Sequence, residues 1–355
     1  MTRTVVAMSG GVDSAVAAAL LAERGDEVVG VWLRLVPGGG DLTAPRCCGT
    51  DGAGELARRA AAAIGIPFYA LDYAEVFGHA VVDRFVAAYA AGETPNPCVA
   101  CNAHVKFEPL LRDTLAVFGA DRLATGHYAR VASGPDGRWR LLRARDAAKD
   151  QSYALYMLGP AELARLVLPI GELATKDETR VIASRLGLPN AGTPESQDIC
   201  FVGGDYRELV RERAPEAFRD GPVEREDGTR VGSHRGVGGL TVGQRSGVGA
   251  ATGERLYVLR LELERNAAVV GPRSAVRRTR YALKDASFVA GAAPAGRFAA
   301  SAVLRYRGEP IPAQIEARGE RVTVELASPA LVAPGQALVL YDGEEVLGGG
   351  TVRRE

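Results

Sequence analysis

The chain has 355 residues, 43 basic and 43 acidic side chains, and a hydrophobic content of 47%. This is the composition of a globular protein of two or three domains, and it excludes a disordered chain, a collagen-like repeat and a coiled-coil rod. A formal charge of zero excludes a surface covered everywhere with phosphate-binding cations, so any nucleic-acid contact is confined to a local basic face.

The N-terminal run Met1-Thr-Arg-Thr-Val-Val-Ala-Met8 leads straight into a glycine turn, without the apolar core or cleavage site of a signal peptide. No apolar run approaches the roughly 20 residues that cross a bilayer, so a cytoplasmic protein without membrane contact is expected. Residues 4–8 predict a buried strand, Ser9-Gly10-Gly11 a turn, and the Ala/Leu-rich run from Val12 to about residue 24 a helix that Gly25 stops. A strand over 28–35 follows. Next come a loop with Gly38-Gly39-Gly40 and Cys47-Cys48, a helix over about 53–64 and a strand over 67–72. Helical stretches at 74–91 and 105–118 precede a strand over 122–125 that ends in Gly126-His127. Strands alternating with helices imply a parallel sheet: an α/β, doubly wound, Rossmann-like domain over residues 1–204, with ligands beyond the carboxyl ends of its strands.

Residues 152–187 read as helical again, with a capping box at Thr175-Lys-Asp-Glu178 opening the segment 177–186. Beyond residue 203 the period changes. Segments 256–263, 300–306, 321–326 and 337–341 alternate as strands do, which predicts a small β-rich central domain over 205–275 and a C-terminal β-barrel over 276–355.

Ser9-Gly10-Gly11-Val12-Asp13-Ser14 lies between a strand and a helix, where backbone N–H groups and a helix N-terminus surround an anion. Glycine lets the backbone approach phosphate oxygens, and the two serines add hydroxyls. Asp13 is repelled by phosphate unless a divalent cation lies between them, which implies Mg²⁺ held jointly with the nucleotide. The chain lacks both G-x-x-x-x-G-K-[ST] and, at this turn, G-x-G-x-x-G, so neither Walker-type γ-phosphate transfer nor dinucleotide binding is indicated. The loop resembles the PP-loop of ATP pyrophosphatases, enzymes that adenylate a carbonyl and release pyrophosphate.

Five cysteines, odd in number and unevenly spaced, suit catalysis, redox or metal binding better than a disulfide framework in a cytosolic chain. Cys98-Val-Ala-Cys101 follows Thr94-Pro-Asn-Pro97 and opens a helix whose positive end favours thiolate. Cys200 sits in the polar string Glu195-Ser-Gln-Asp-Ile-Cys200-Phe. Taken singly, a C-x-x-C is redox, metal-binding or inert, and a lone cysteine is a small core residue.

These strings occur in one order with Thr125-Gly-His-Tyr-Ala-Arg130, Lys149-Asp-Gln-Ser-Tyr153 and Leu240-Thr-Val-Gly-Gln-Arg245. The combination resembles the bacterial tRNA-specific 2-thiouridylases of the MnmA type, from the first strand to the final barrel. The resemblance implies ATP-dependent 2-thiolation of the tRNA wobble uridine by adenylation of the uracil C2 oxygen. Sulfur would come from a persulfide on Cys200, charged by a sulfur carrier protein or cysteine desulfurase, with Cys101 as the second thiol. It further implies ATP contacts at Ala7, Met8, Ser9, Gly10, Gly11, Val12, Asp13, Ser14, Leu33 and Gly126. Contacts to the anticodon arm of tRNA would fall at His127, Lys149, Asp150, Gln151, Arg305, Tyr306 and Gln336, the last three in the barrel.

Cys98 departs from members that carry aspartate there. It is a weak proton carrier, a bystander, or the third thiolate, with Cys101 and Cys200, of an iron–sulfur or soft-metal site. Cys47-Cys48 are given no role. Two rival readings are another PP-loop adenylating ligase or synthetase and a nucleotide-binding thiol sensor without turnover.

Overall fold

The computed structural model describes residues 1–36, 51–192, 199–250 and 253–354. Cys47 and Cys48, and residues 195–198 of the string before Cys200, lie outside the described residues. The first strands are β1 (Arg3–Ala7), β2 (Glu27–Arg34), β3 (Phe68–Asp72) and β4 (Arg122–Thr125). A hairpin of β5 (Ala129–Ser133) and β6 (Trp139–Arg143) comes after them, then the two-residue β7 (Leu166–Val167).

Strands β1 to β4 and β7 form a parallel sheet in the order β3-β2-β1-β4-β7. The order reverses between β1 and β4, so the crevice beyond their carboxyl ends is the switch point where such folds bind ligands. Neighbouring residues of β1 face opposite layers: Val5 packs in one apolar cluster and Val6 in the other, both fully buried. A strand apolar on both faces is what a sheet covered on both sides requires.

One layer is made by α1 (Val12–Glu23), which ends at Gly25 (φ +89°), and α2 (Asp51–Ile64), whose Ala57, Ala60 and Ala61 are buried. The other layer holds two long helical runs. Residues 74–90 pass through a π-helical stretch at Gly78–Asp83, and residues 97–117 through one at Asn102–Leu110 that contains Pro109, which has no N–H to donate.

Where the sequence reads as helix over 152–187, the chain instead breaks into 3-10 turns at Ser152–Leu155 and Pro169–Glu172, a one-turn helix Pro160–Leu163, β7 and a longer helix, Lys176–Arg185. Thr175 Oγ1 accepts from Glu178 N at 3.4 Å, while Glu178 Oε2 reaches back to Ala174 N at 3.3 Å rather than to Thr175, so only half of the expected capping box forms.

The central domain opens with helix Tyr206–Arg213 and holds β8 (Gly221–Arg225), β9 (Arg230–His234), β10 (Tyr257–Glu262) and β11 (Ala267–Gly271), in the order β10-β11-β8-β9. The last segment carries β12 (Arg278–Phe288), β13 (Arg297–Val303), β14 (Ile311–Arg318), β15 (Arg321–Ala330), β16 (Ala337–Asp342) and β17 (Glu345–Val352). These six close into an antiparallel barrel because β12 pairs with both β15 and β17.

The hairpin β5–β6 belongs to this barrel sheet: Glu345 and Val346 of β17 pair with Leu142 and Leu141. Buried Arg130 fastens it, donating to Arg143 O at 2.7 Å and to Glu344 Oε2 at 2.8 Å. Leu141, Tyr153, Tyr156, Val303, Val339 and Tyr341 share one apolar cluster with Val5, Leu33 and Leu123 of the parallel sheet. The core therefore runs without interruption from the α/β layers into the barrel.

Candidate active site

The turn after β1 owes its shape to its own serines and glycines. Ser14 Oγ donates to Gly11 O at 3.0 Å and accepts from Ser9 N at 3.1 Å, so the hydroxyls expected to face phosphate also brace the loop. Gly10 has φ +86°, and a Cβ there would stand 2.3 Å from Ala53 O. A Cβ on Gly126, at the end of β4, would stand 2.6 Å from Ser14 N. Each glycine thus permits a backbone approach that any side chain prevents. Gly11 is the N-cap of α1 and offers no side chain to the first-turn N–H groups, which leaves them to a bound anion.

Buried Asn190, for which the sequence carries no signal, donates from Nδ2 to Gly10 O at 3.0 Å. Because the peptide is planar and trans, holding that carbonyl inward turns the N–H of Gly11 the opposite way. The Asn190 Oδ1 is buried with no partner among the described residues.

Asp13 is a carboxylate that needs a cation, and the fold supplies one. Lys176, only 8% exposed, donates to Asp13 Oδ1, as does Tyr128 OH at 2.9 Å. Among the described residues Asp13 Oδ2 takes no donor, which leaves that oxygen for a Mg²⁺ accompanying nucleotide. The ammonium already offsets part of the repulsion between Asp13 and a phosphate, and the remaining carboxylate oxygen still fits the ion. Four lysines stand among 43 basic residues, and this scarcity is the signal that could have singled Lys176 out.

Asn96 caps the helix that carries Cys98 and Cys101, its Oδ1 accepting from Cys98 N at 3.1 Å and Val99 N at 3.3 Å, with Pro97 at the first helical position. Cys98 is exposed and Cys101 is buried at 7%. Asn102 donates to Ala154 O at 2.9 Å and accepts from Lys106 Nζ at 3.1 Å, which fixes the helix beside the 152–155 turn.

Cys200 is half-buried, and its neighbour Phe201 sets its ring edge-on to Phe77 at 5.6 Å and Phe85 at 5.2 Å. The Pro97–Cys101 segment packs on Gly78–Asp83 of the same helical run. Cys101 and Cys200 therefore bear on one support and belong to one apolar cluster with Leu33 and Ala7. Among the described residues no three His, Cys, Asp or Glu side chains converge as a metal requires, so Cys98, Cys101 and Cys200 do not form a ready three-thiolate set.

His127 lies beyond β4 against the ring of Phe107 at 5.9 Å, with Nδ1 2.7 Å from Thr125 Oγ1. Burial, aided by nearby Lys106, holds its pKa well below the ordinary value, so the imidazole is neutral at pH 7. Asp150 is turned inward, accepting from Ala144 N and Arg143 Nη1 at 3.0 Å and from Ser152 N at 3.1 Å. Gln151 Oε1 accepts from Tyr128 N at 2.9 Å. These two side chains shape the turn and leave Lys149 at its rim.

Arg305 and Tyr306, expected on a strand, stand in the turn after β13 and are exposed. The Tyr306 ring lies 6.5 Å from that of Tyr153, and burial raises the pKa of its hydroxyl against the opposing charge of Arg307, with Asp150 and Lys149 close enough to contribute less. Barrel and turn thus present Lys149, Arg305 and Tyr306 together. Gln336, by contrast, faces inward and donates to Thr94 O at 2.8 Å.

Residues 2–204 match the family model described as a tRNA methyl transferase HUP domain, residues 207–272 a tRNA methyl transferase PRC-barrel domain and residues 278–352 an aminomethyltransferase beta-barrel domain. The chain is similar to the tRNA-specific 2-thiouridylase MnmA of Roseiflexus castenholzii, 47% identical over 373 residues and covering 100% of both chains. It is 48% identical over 358 residues to the protein of that name from Chloroflexus aurantiacus, covering 100% of this chain and 99% of the other. With that of Heliobacterium modesticaldum it shares 44% over 356 residues, covering 99% and 92%.

Proposed function

The chain belongs to the tRNA-specific 2-thiouridylase family, and from that membership we propose that it is an ATP-dependent tRNA-uridine 2-sulfurtransferase acting on the wobble uridine. The observation that supports the reading is the common support of the two thiols. The anion-binding turn opens at the switch point of the sheet, and two thiol-bearing segments distant in sequence pack on one helix, in the apolar cluster that holds Leu33 at the end of β2.

A uracil C2 oxygen is a poor leaving group. Adenylation converts it into AMP, and the pyrophosphate displaced from ATP is received by the N–H groups of Gly10 to Ser14 and the ammonium of Lys176. Bound Mg²⁺ would add positive charge at the phosphates, held by Asp13 Oδ2. Leu33 offers an apolar rest for the adenine, and Gly126 lets the end of β4 approach the turn closely.

Cys200 carries the incoming sulfur as a persulfide delivered by a cysteine desulfurase or sulfur carrier protein. Cys101 thiolate attacks Cys200 Sγ, the Sγ–S bond breaks, hydrosulfide leaves with the electron pair, and a Cys101–Cys200 disulfide forms. Hydrosulfide then attacks C2 and expels AMP. In the alternative order the terminal sulfur attacks C2 first and the disulfide forms on release. An external dithiol or other two-electron reductant restores both thiols, which suits a reducing cytoplasm. The iron–sulfur alternative asks for a convergence of three thiolates that these residues do not make.

Lys149, Arg305 and Tyr306 form the face for the anticodon arm: cations for phosphate and a ring on which an unstacked base can lie. His127, as a neutral imidazole, hydrogen-bonds the extruded nucleotide. Asp150 and Gln151 act on RNA through the turn they shape.

The test is reconstitution with ATP, Mg²⁺, a desulfurase system and unmodified tRNA, with pyrophosphate release and 2-thiouridine as readouts. Cys200→Ser should abolish thiolation and leave tRNA binding intact; near-parental thiolation would refute the assignment. Full activity in both single Cys→Ser variants would favour a ligase of another kind, and absence of pyrophosphate release a sensor.

A further inference from the structure

The stretch just before the cysteine helix is held from outside its own domain. Both backbone groups of Thr94 are taken by the barrel: its N donates to Pro334 O at 2.7 Å and its O accepts from Gln336 Nε2 at 2.8 Å. Its hydroxyl donates to Thr241 Oγ1 of the central domain at 3.2 Å. One residue earlier, both carboxylate oxygens of Glu93 accept from Lys284 Nζ of β12, at 2.8 and 2.9 Å, with the two side chains only 17% and 34% exposed. Two residues before that, Ala91 O accepts from Arg354 Nη1 at 2.9 Å. The approach is close enough that a Cβ on Gly335 (φ +89°) would stand 2.8 Å from Thr94 N.

The segment between this clamp and the thiols has little slack. Pro95 and Pro97 have fixed φ, Asn96 between them is committed to capping, and the helix begins at once with Cys98 in its first turn and Cys101 in its second. A displacement of the barrel at Thr94 is therefore passed towards Cys101 through a segment with few free torsions.

From this geometry we propose that Lys284 and Gln336 are positioning residues for the Cys101 thiol: the barrel, through Glu93 and Thr94, sets where that sulfur stands relative to the bound base. The proposal rests on the reading of Cys101 as the second thiol, and it gives the barrel a part in the chemistry beyond gripping RNA.

Charge reversal tests it. Lys284→Glu sets two carboxylates face to face, and Glu93→Lys with Lys284→Glu restores an opposite pair. We expect Lys284→Glu to lower kcat for thiolation about tenfold, with KM for ATP and for tRNA within about twofold of the parent. Iodoacetamide alkylation of Cys101, followed by mass spectrometry, should accelerate at least threefold, as expected for a buried thiol on a loosened helix, while alkylation of Cys200 is unchanged. The double variant should recover both values.

If Lys284→Glu does not fold, Lys284→Met removes the pair without repulsion and should show the same two changes at smaller size. Parental kcat and Cys101 reactivity in the single variant, no recovery in the swap, or a loss confined to KM for tRNA would each overturn the proposal. Alkylation does not depend on sulfur transfer, so the two readings fail separately. A thiolating Cys101→Ser enzyme would remove the assigned role of the thiol while leaving the clamp measurable.

Discussion

Asp13 shows how far a single residue can be read before its neighbours are known. In a turn proposed to bind phosphate its charge calls for a cation, and sequence offers only a metal ion; the folded chain brings Lys176 to it from 163 positions away. Lys176 is buried, and a buried ammonium is tolerable only when paired, a partner that the Asp13 carboxylate supplies. Lys176→Met keeps the apolar stem and removes the ammonium. Its KM for ATP should rise at least tenfold, about 1.4 kcal/mol of lost binding, with tRNA affinity unchanged in a filter-binding assay. An unaltered ATP dependence would show that the lysine only balances charge. Asn190 is likewise illegible, because nothing in Leu188-Pro-Asn190 signals that its amide reaches the Gly10 carbonyl. Arg305 and Tyr306 are legible as a pair but not as a turn, since β13 ends at Val303.

At the scale of elements, the strands and helices of the first 72 residues are legible to within a residue or two, whereas the helix expected over 105–118 belongs to a run that begins at Pro97 and the barrel strands are legible only in part. β7 is two residues long, below any periodicity, yet it completes the edge of the parallel sheet. The β5–β6 hairpin has its signal in Pro135-Asp136-Gly137, a turn motif between two apolar segments, but sequence cannot say that it joins the sheet of a barrel some 200 residues later. The cysteine helix is expected after Thr-Pro-Asn-Pro, and the structure adds the Asn96 cap that starts it. Asn96→Ala removes the acceptor of two N–H groups at this end. It should cost about 0.5–2 kcal/mol in urea denaturation and lower thiolation more than it lowers pyrophosphate release, because fraying of the first turn loosens the short helix that carries Cys101. Asn96→Asp, which keeps the acceptor, should restore most of both.

Across the whole molecule, the apolar cluster shared by the sheet, the 152–158 segment and the barrel makes the C-terminal barrel part of the catalytic core rather than an appendage. Tyr153 OH donates to Ala337 O at 2.7 Å, Ser152 Oγ lies 3.1 Å from Tyr341 OH, and the Arg143 guanidinium stacks 3.8 Å over the Tyr341 ring. These buried polar contacts are satisfied only while the barrel is docked. A fragment ending at residue 275 should expose Leu141, Tyr153 and Tyr156 and lose slow-exchanging amides in hydrogen exchange, even in the parallel sheet. Native-like protection in that fragment would mean the shared core is dispensable. The described residues contain no helix long and apolar enough to cross a membrane.

By itself, the sequence determined the α/β alternation, the anion-binding corner and the set of thiols, because strand and helix periods, glycine turns and proline-flanked caps are local and are written within a few residues of where they act. Only the tertiary structure decided that Lys176 and Asn190 complete the corner, that Cys101 and Cys200 share one support, and that the barrel grips Glu93 and Thr94. Those relations join residues about 100 to nearly 250 positions apart, and nothing but chain packing brings such partners within a few ångströms.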